Sequence, residues 1–374
     1  MSQGHGGVIR PLAGFRAVAA LWVVVVHIES LHPPGLPESA LRFLRGYGVL
    51  PVVFFFILSG FILSLVYHHR AGGGVFDRDG VKKYGWARFG RIVPLYAASL
   101  VPGIAFHLVW TVQGGANPMP FTQSTAPGEW SLFRTDGWAF NALFRSNVPA
   151  WTLSAELLFY ILFPFLLPRL MDWDRGQLRR GVVWSLALYG AIQVGLGFLQ
   201  LLGHGWIKQV GFGVGHFGSP IFVPAFFAGM CLGTLVSRGW IWEWVASHSD
   251  WVYAGIVAWT VILVQVPNPT WPPSMVTAFL APAFCLAIAA GVGGQGWVNS
   301  WLSCRAVQEL GAASYAIYIT HWPTKELMQF YFNPVGWPGI TPGLAVLAAV
   351  LAVGFAGHEL VEKPLHAWVR ARTG

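Results

Sequence analysis

Charge is the scarcest property of this sequence. Its 374 residues include 15 Asp or Glu and 23 Lys or Arg, 10% charged in all, where a soluble domain carries about 25%. That shortage excludes a water-soluble fold with a solvated polar surface. It does not mark disorder, because 55% of the residues are hydrophobic and 15% aromatic, enough to build packed structure. Cysteine is scarce too. Cys231, Cys285 and Cys304 are odd in number and scattered, which excludes a disulfide framework and a metal-ligand spacing. No repeat recurs at a fixed period. The Gly72–Gly74 run is not followed by GK[ST] and is no phosphate loop, and HELVE at 358–362 lacks the second His of a zinc-protease box. No metal is expected. Basic residues do not alternate with aromatics in a nucleic-acid pattern. The polar, Gly-rich segment 1–14 lacks the order of a cleaved signal peptide.

What the sequence has instead is long apolar runs. About ten reach spanning length, for which about 20 residues are needed: 13–30, 48–67, 92–112, 152–170, 182–202, 219–237, 251–266, 275–292, 310–331 and 342–361. The expected fold is all-α, a polytopic membrane protein with about ten transmembrane helices around a polar central cavity. No polar segment is long enough to fold alone, so residues 1–374 are expected to form one transmembrane domain without an appended soluble one. With the N-terminus in the cytoplasm, 17 of the 23 basic residues fall on that side and five on the other, with Lys325 inside a helix. This asymmetry orients the chain with both termini inside. The net charge of +8 then serves insertion and the anionic inner leaflet.

Ionisable groups within such runs are candidates for function. In the first run, Arg16 and His27 are 11 residues apart, three helical turns plus about 20°, so they share a face roughly 16 Å apart along the axis. In the second, Ser59-Gly60 permits close helix approach. Arg88 and Arg91, at the inner boundary, stand three apart and share a face if helical; their planar, forked donors suit phosphate. The loop 113–150, rich in Gly, Pro and Trp, reads as an outer lid or acceptor wall. It leads to Glu156, a carboxylate expected to face a polar cavity. In the ninth run Ser314, Tyr318, His321 and Lys325 fall on one face, which must look at polar groups or water.

Six stretches in order resemble the acyltransferase-3 family of membrane O-acyltransferases. The family's Arg/Lys-x10-His is matched by Arg16 and His27, FFxLSGF by Phe55–Phe61, and RxxRixPLY by Arg88–Tyr96. W-[ST]-L-x-x-E-x-x-FY is matched by Trp151–Tyr160, SYxxYxxHxP by Ser314–Pro323, and the closing E-[KR]-P by Glu362–Pro364. The chain departs from the family at Ala13 and Val53, where acids are common. The resemblance implies a bacterial enzyme of the inner (cytoplasmic) membrane. It would transfer an acyl group, usually acetyl from acetyl-CoA or another acyl-CoA, to a hydroxyl of a carbohydrate such as a surface polysaccharide or a lipid-linked glycan. In that reading His27 is a general base, and Arg88, Arg91 and Tyr96 belong to the CoA site. Arg16, or the Ser314/Tyr318/His321 face, stabilises the thioester oxyanion, and Glu156 completes the catalytic set. Direct transfer and an acyl-histidine route both remain open. A polytopic transporter or flippase for a glycan or lipid-linked substrate explains the same polar cavity; an acyltransferase of another His-based family acting on lipids does not share the motif order.

Overall fold

The computed structural model describes residues 9–32, 47–68, 76–112, 147–240, 242–265, 271–332 and 340–373. The segment 113–146 of the expected lid, the outer loop 33–46 and the Gly72–Gly74 run lie outside the described residues. In chain order the helices are α1 (Arg10–His27), α2 (Val49–His68), α3 (Arg78–Val112), α4 (Trp151–Met171), α5 (Arg175–Leu202), α6 (Trp206–Phe217), α7 (Val223–Ser237) and α8 (Glu243–Ser247). Then follow α9 (Ser249–Gln265), α10 (Pro273–Gly293), α11 (Trp297–Leu302), α12 (Arg305–Ala312), α13 (Ser314–Phe332), α14 (Thr341–Gly357) and, after a π-helical turn at His358–Glu362, α15 (Lys363–Thr373). The protein is all-α and polytopic: seven of the described helices are long and apolar enough to cross a membrane. Of the ten expected spans, the remaining three are helical but differ in character. Run 251–266 is the shorter α9, run 92–112 falls in α3, and run 310–331 covers the end of α12 and most of α13; α3 and α13 carry polar residues of the site.

Local chemistry moves several expected boundaries. The inner segment 68–91 reads as a loop from its charge and glycine, yet α3 begins at Arg78. The Asp77 carboxylate accepts the Gly80 N–H at 2.7 Å, satisfying a donor that the first turn leaves free. The run 310–331 is two helices, because Ala313 ends α12 with ψ near 0° (φ −82°, ψ 0°). Gly311, two residues earlier, is pressed against the Ala13 carbonyl, where an added Cβ would meet the oxygen at 2.1 Å. The Gly-rich stretch around His216, which reads as an outer loop, folds as α6.

The core is the α2–α7 pair, and it depends on backbone contact. A Cβ on Gly60 would stand 2.1 Å from the Phe226 carbonyl oxygen, and one on Gly229 would stand 2.0 Å from that of Ile57. Without water in the bilayer, such close packing replaces the hydrophobic effect as the force that joins helices. Around it Phe56, Phe159, Phe222 and Phe226 pack ring against ring, Phe226 on Phe159 at 4.5 Å and Phe222 on Phe56 at 5.1 Å. Gly229→Leu forces these backbones apart, beyond the roughly 1–3 kcal/mol of ordinary overpacking. The variant is expected to lose most of its monodisperse material in detergent chromatography, whereas Gly195→Leu, with nothing within 4 Å of its Cβ position, retains it.

Candidate active site

The sequence-selected residues fall into two clusters about three turns apart along α1, one at Arg16 and one at its last residue, His27. Helix α1 stops at His27 rather than near Ser30, so His27 is a helix-terminal residue and not one deep within a turn. Its Nδ1 lies 2.9 Å from the Val23 carbonyl and 3.2 Å from Nε2 of His321. His321 is fully buried, and its own Nδ1 is against the Tyr318 carbonyl. These partners assign the protons. A nitrogen facing a carbonyl must carry hydrogen, so His321 is Nδ1–H and offers a bare Nε2. That lone pair and the Val23 carbonyl both face Nδ1 of His27, which is therefore N–H. The lone pair of His27 is left on Nε2. A ring nitrogen left with its lone pair and oriented through the other nitrogen is the arrangement a proton acceptor requires. The Trp322 ring stands edge-on to His27 at 5.3 Å, and its Nε1 is buried without a hydrogen-bond partner. Lys325 sits over the same indole at 4.0 Å and pairs with Glu326 at 2.9 Å.

The inner cluster surrounds a cavity of about 250 Å³ lined by Arg16, Arg88, Arg91, Glu156, Tyr160, Ser314 and Tyr318, with Phe55 and Ser59 from α2. Glu156 accepts the Tyr160 hydroxyl at 3.2 Å. Arg88 lies between the Tyr84 and Tyr160 rings, at 5.8 and 5.6 Å, with its Nε buried and unpartnered. Arg91 approaches the buried Glu362 at 3.9 Å. Arg16 feels Arg91, Glu362 and Glu156 electrostatically. Three guanidinium groups thus face two carboxyl groups, and the cavity carries excess positive charge even with both acids ionised. Ser314 Oγ is buried without a partner.

Tyr318 joins the clusters. Its ring centroid is 5.8 Å from that of His321, and its hydroxyl lies 3.0 Å from both the Pro149 carbonyl and Thr152 Oγ1. Asn147 donates to the Ile319 carbonyl at 2.7 Å. The chain before α4, expected outside the membrane, is therefore a 3₁₀ turn (Val148–Ala150) seated inside the bundle, which starts α4 beside the middle of α13 and lowers Glu156 to the level of the arginines. Tyr96 lines a different space, an apolar cavity of about 620 Å³ between α3 and α4 that shares Arg88, Leu153 and Tyr160 with the polar one. Of the residues named from sequence, Arg16, Arg88, Arg91, Glu156, Ser314 and Tyr318 meet at the inner cavity, His27 and His321 meet each other, and Tyr96 joins neither group. Glu362, Tyr160, Thr152 and Trp322 are additions: all four stood within or beside matched motifs, without a spacing that named their partners. Among the described residues no group of His, Cys, Asp or Glu could hold a metal ion; Cys231 and Cys285 are buried and Cys304 is exposed.

A family model described as an acyltransferase domain matches residues 12–358. An acyltransferase of Streptomyces mycarofaciens, MdmB, is 24% identical over 392 aligned positions, covering 94% of this chain and 90% of that protein. Protein 2 in the picA locus of Rhizobium radiobacter is 32% identical over 157 positions, 39% of this chain and 75% of that protein. No solved structure gives a significant match.

Proposed function

Since this chain belongs to the acyltransferase-3 family and is an acyltransferase with membrane-spanning helices, we propose that it moves an acyl group, acetyl by preference, from acyl-CoA to a hydroxyl of a carbohydrate. The observation that carries this reading is the division of labour along α1, with a cationic cavity at Arg16 and a tautomer-fixed His27 about three turns on. Acyl-CoA is strongly anionic at its nucleotide and neutral along its pantetheine arm. Its phosphates suit the excess charge of Arg16, Arg88 and Arg91, and the arm then runs past Tyr318 to bring the thioester to His27. The basic asymmetry of the loops puts the arginine end in the cytoplasm, where acyl-CoA is made, and His27 toward the opposite face of a bacterial inner membrane.

At His27 the acceptor hydroxyl gives its proton to Nε2 as its oxygen bonds to the thioester carbonyl carbon. The C–S bond then breaks, and the thiolate leaves with the proton that Nε2 returns. The imidazolium formed in between is held by His321 Nε2 and the Val23 carbonyl through Nδ1–H. An oxyanion donor must lie about 3 Å from the developing charge. Arg16 is roughly 16 Å down the helix, and Ser314 about 10 Å below His321 on α13. Both therefore belong with the donor and not with the oxyanion, while the Tyr318 hydroxyl is engaged by Pro149 and Thr152. Glu156 balances the arginines.

The test is mass spectrometry of surface carbohydrate from cells with and without the gene. Ester-linked acyl groups that disappear on deletion and return with the wild-type gene are expected. A glycan whose acylation is unchanged but whose export fails would favour the transporter reading.

A further inference from the structure

The last turn before α15 departs from the α-helix. Residues His358–Glu362 form a π-helical turn, and the sequence supplies a cause: Pro364 has no N–H and its ring crowds the carbonyl four residues back, so the helix widens just ahead of it. Single π turns inside α-helices cluster at functional sites because they re-aim a side chain. Here the turn buries a histidine–carboxylate contact. His358 Nδ1 lies 2.8 Å from Glu362 Oε2, and the other carboxylate oxygen, Oε1, lies 3.9 Å from Arg91. Glu362 is 3% exposed and His358 8%. A carboxylate this buried is costly unless it is paired. Its two partners are a histidine on its own turn and the arginine that lines the cavity from α3. The α3 side of the contact is fixed independently, because the Tyr315 hydroxyl donates to the Ile92 carbonyl at 2.7 Å and Gly90 packs on Val369 of α15.

We propose that Glu362, clamped by His358 on the π turn, is a positioning residue that holds the Arg91 guanidinium at the wall of the cavity for the phosphate of the acyl donor. This rests on the reading of Arg91 as a donor ligand. Glu362 does not line the cavity, and its contact with a cavity-lining side chain is the one to Arg91. Paired with Glu362 on one side, Arg91 keeps its remaining N–H groups for the substrate.

A double-mutant cycle on the full-length purified enzyme tests it, with acyl-CoA and acceptor titrated separately. Glu362→Gln keeps the shape and removes the charge. It is expected to raise the donor KM by about tenfold, within the coupling range of contacting groups, with a smaller effect on kcat and on the acceptor KM. In the Arg91→Lys background the same change is expected to add less than about threefold, because the group it positions is already gone. Full additivity would overturn the proposal, and so would equal losses for both substrates. Should Glu362→Gln fail to fold, His358→Gln leaves the carboxylate in place and removes its clamp; a donor-selective loss supports the proposal and a loss shared by both substrates overturns it. The two readings separate cleanly. If Arg91→Lys leaves donor KM unchanged, the donor reading fails; if Arg91→Lys raises it and Glu362→Gln does not, the positioning role alone fails.

Discussion

His27→Ala is expected to insert, fold and bind acyl-CoA as the wild type does, and to lose about 100-fold or more of its transfer rate. The size of the loss is that of a general base removed from its reaction. The preserved fold follows from the residue's place. His27 is the last residue of α1 and only half-buried, and its hydrogen bonds go to the Val23 carbonyl of its own helix and to His321. No backbone group depends on it for more than that. His321→Ala should cost less, because the Val23 carbonyl still accepts from Nδ1 of His27 and keeps the tautomer. Membrane extraction and a melting curve in detergent check folding, and initial rates at saturating donor check chemistry. A well-folded His27→Ala enzyme with near-wild-type turnover would remove His27 from the mechanism.

The second large effect is expected on donor affinity. Arg91→Lys keeps a positive charge at the inner boundary, so topology is retained, but it replaces a planar fork by a point charge. A charge-assisted hydrogen bond contributes about 1.5–3 kcal/mol, so acyl-CoA should bind roughly 10- to 100-fold more weakly while acceptor affinity changes far less. Glu362 deepens the effect, since a lysine ammonium cannot pair with that carboxylate and reach the donor phosphate in the same geometry. Binding of acyl-CoA to the purified variant, measured by calorimetry, decides between this and a purely topological role. Unchanged donor affinity would move the CoA site elsewhere.

Periodicity made part of this site readable in advance. Arg16 with His27, and Ser314 with Tyr318 and His321, could be placed on helix faces because helical spacing alone fixes which side chains share a face. The close contact at Gly60 was legible for the same local reason, since a residue without Cβ in an apolar run is suited to backbone approach. What periodicity does not contain is the partner. His27 and His321 are 294 residues apart, and Arg91 and Glu362 meet only because α15 folds back on α3. The 3₁₀ turn at 148–150 was hidden for a related reason. Its Pro and Asn suit an outer loop, and only the hydrogen bonds of Asn147 and Tyr318 draw it into the bundle. The company Arg16 keeps was equally out of reach of periodicity: it lines the cavity with Arg91 and Glu156, contributed by α3 and α4.

Acyl-CoA bound at the Arg16 cavity is expected to be cleaved at His27. The most direct measurement follows free CoA thiol released from acyl-CoA by the purified protein, with a polysaccharide acceptor present, for the wild type and for His27→Ala. Thiol release by the wild type that rises with acceptor concentration, matched by acyl ester formed on the acceptor and lost in His27→Ala, is the predicted result. Carbohydrate crossing sealed vesicles with no thiol released, or release that persists undiminished without His27, would contradict it.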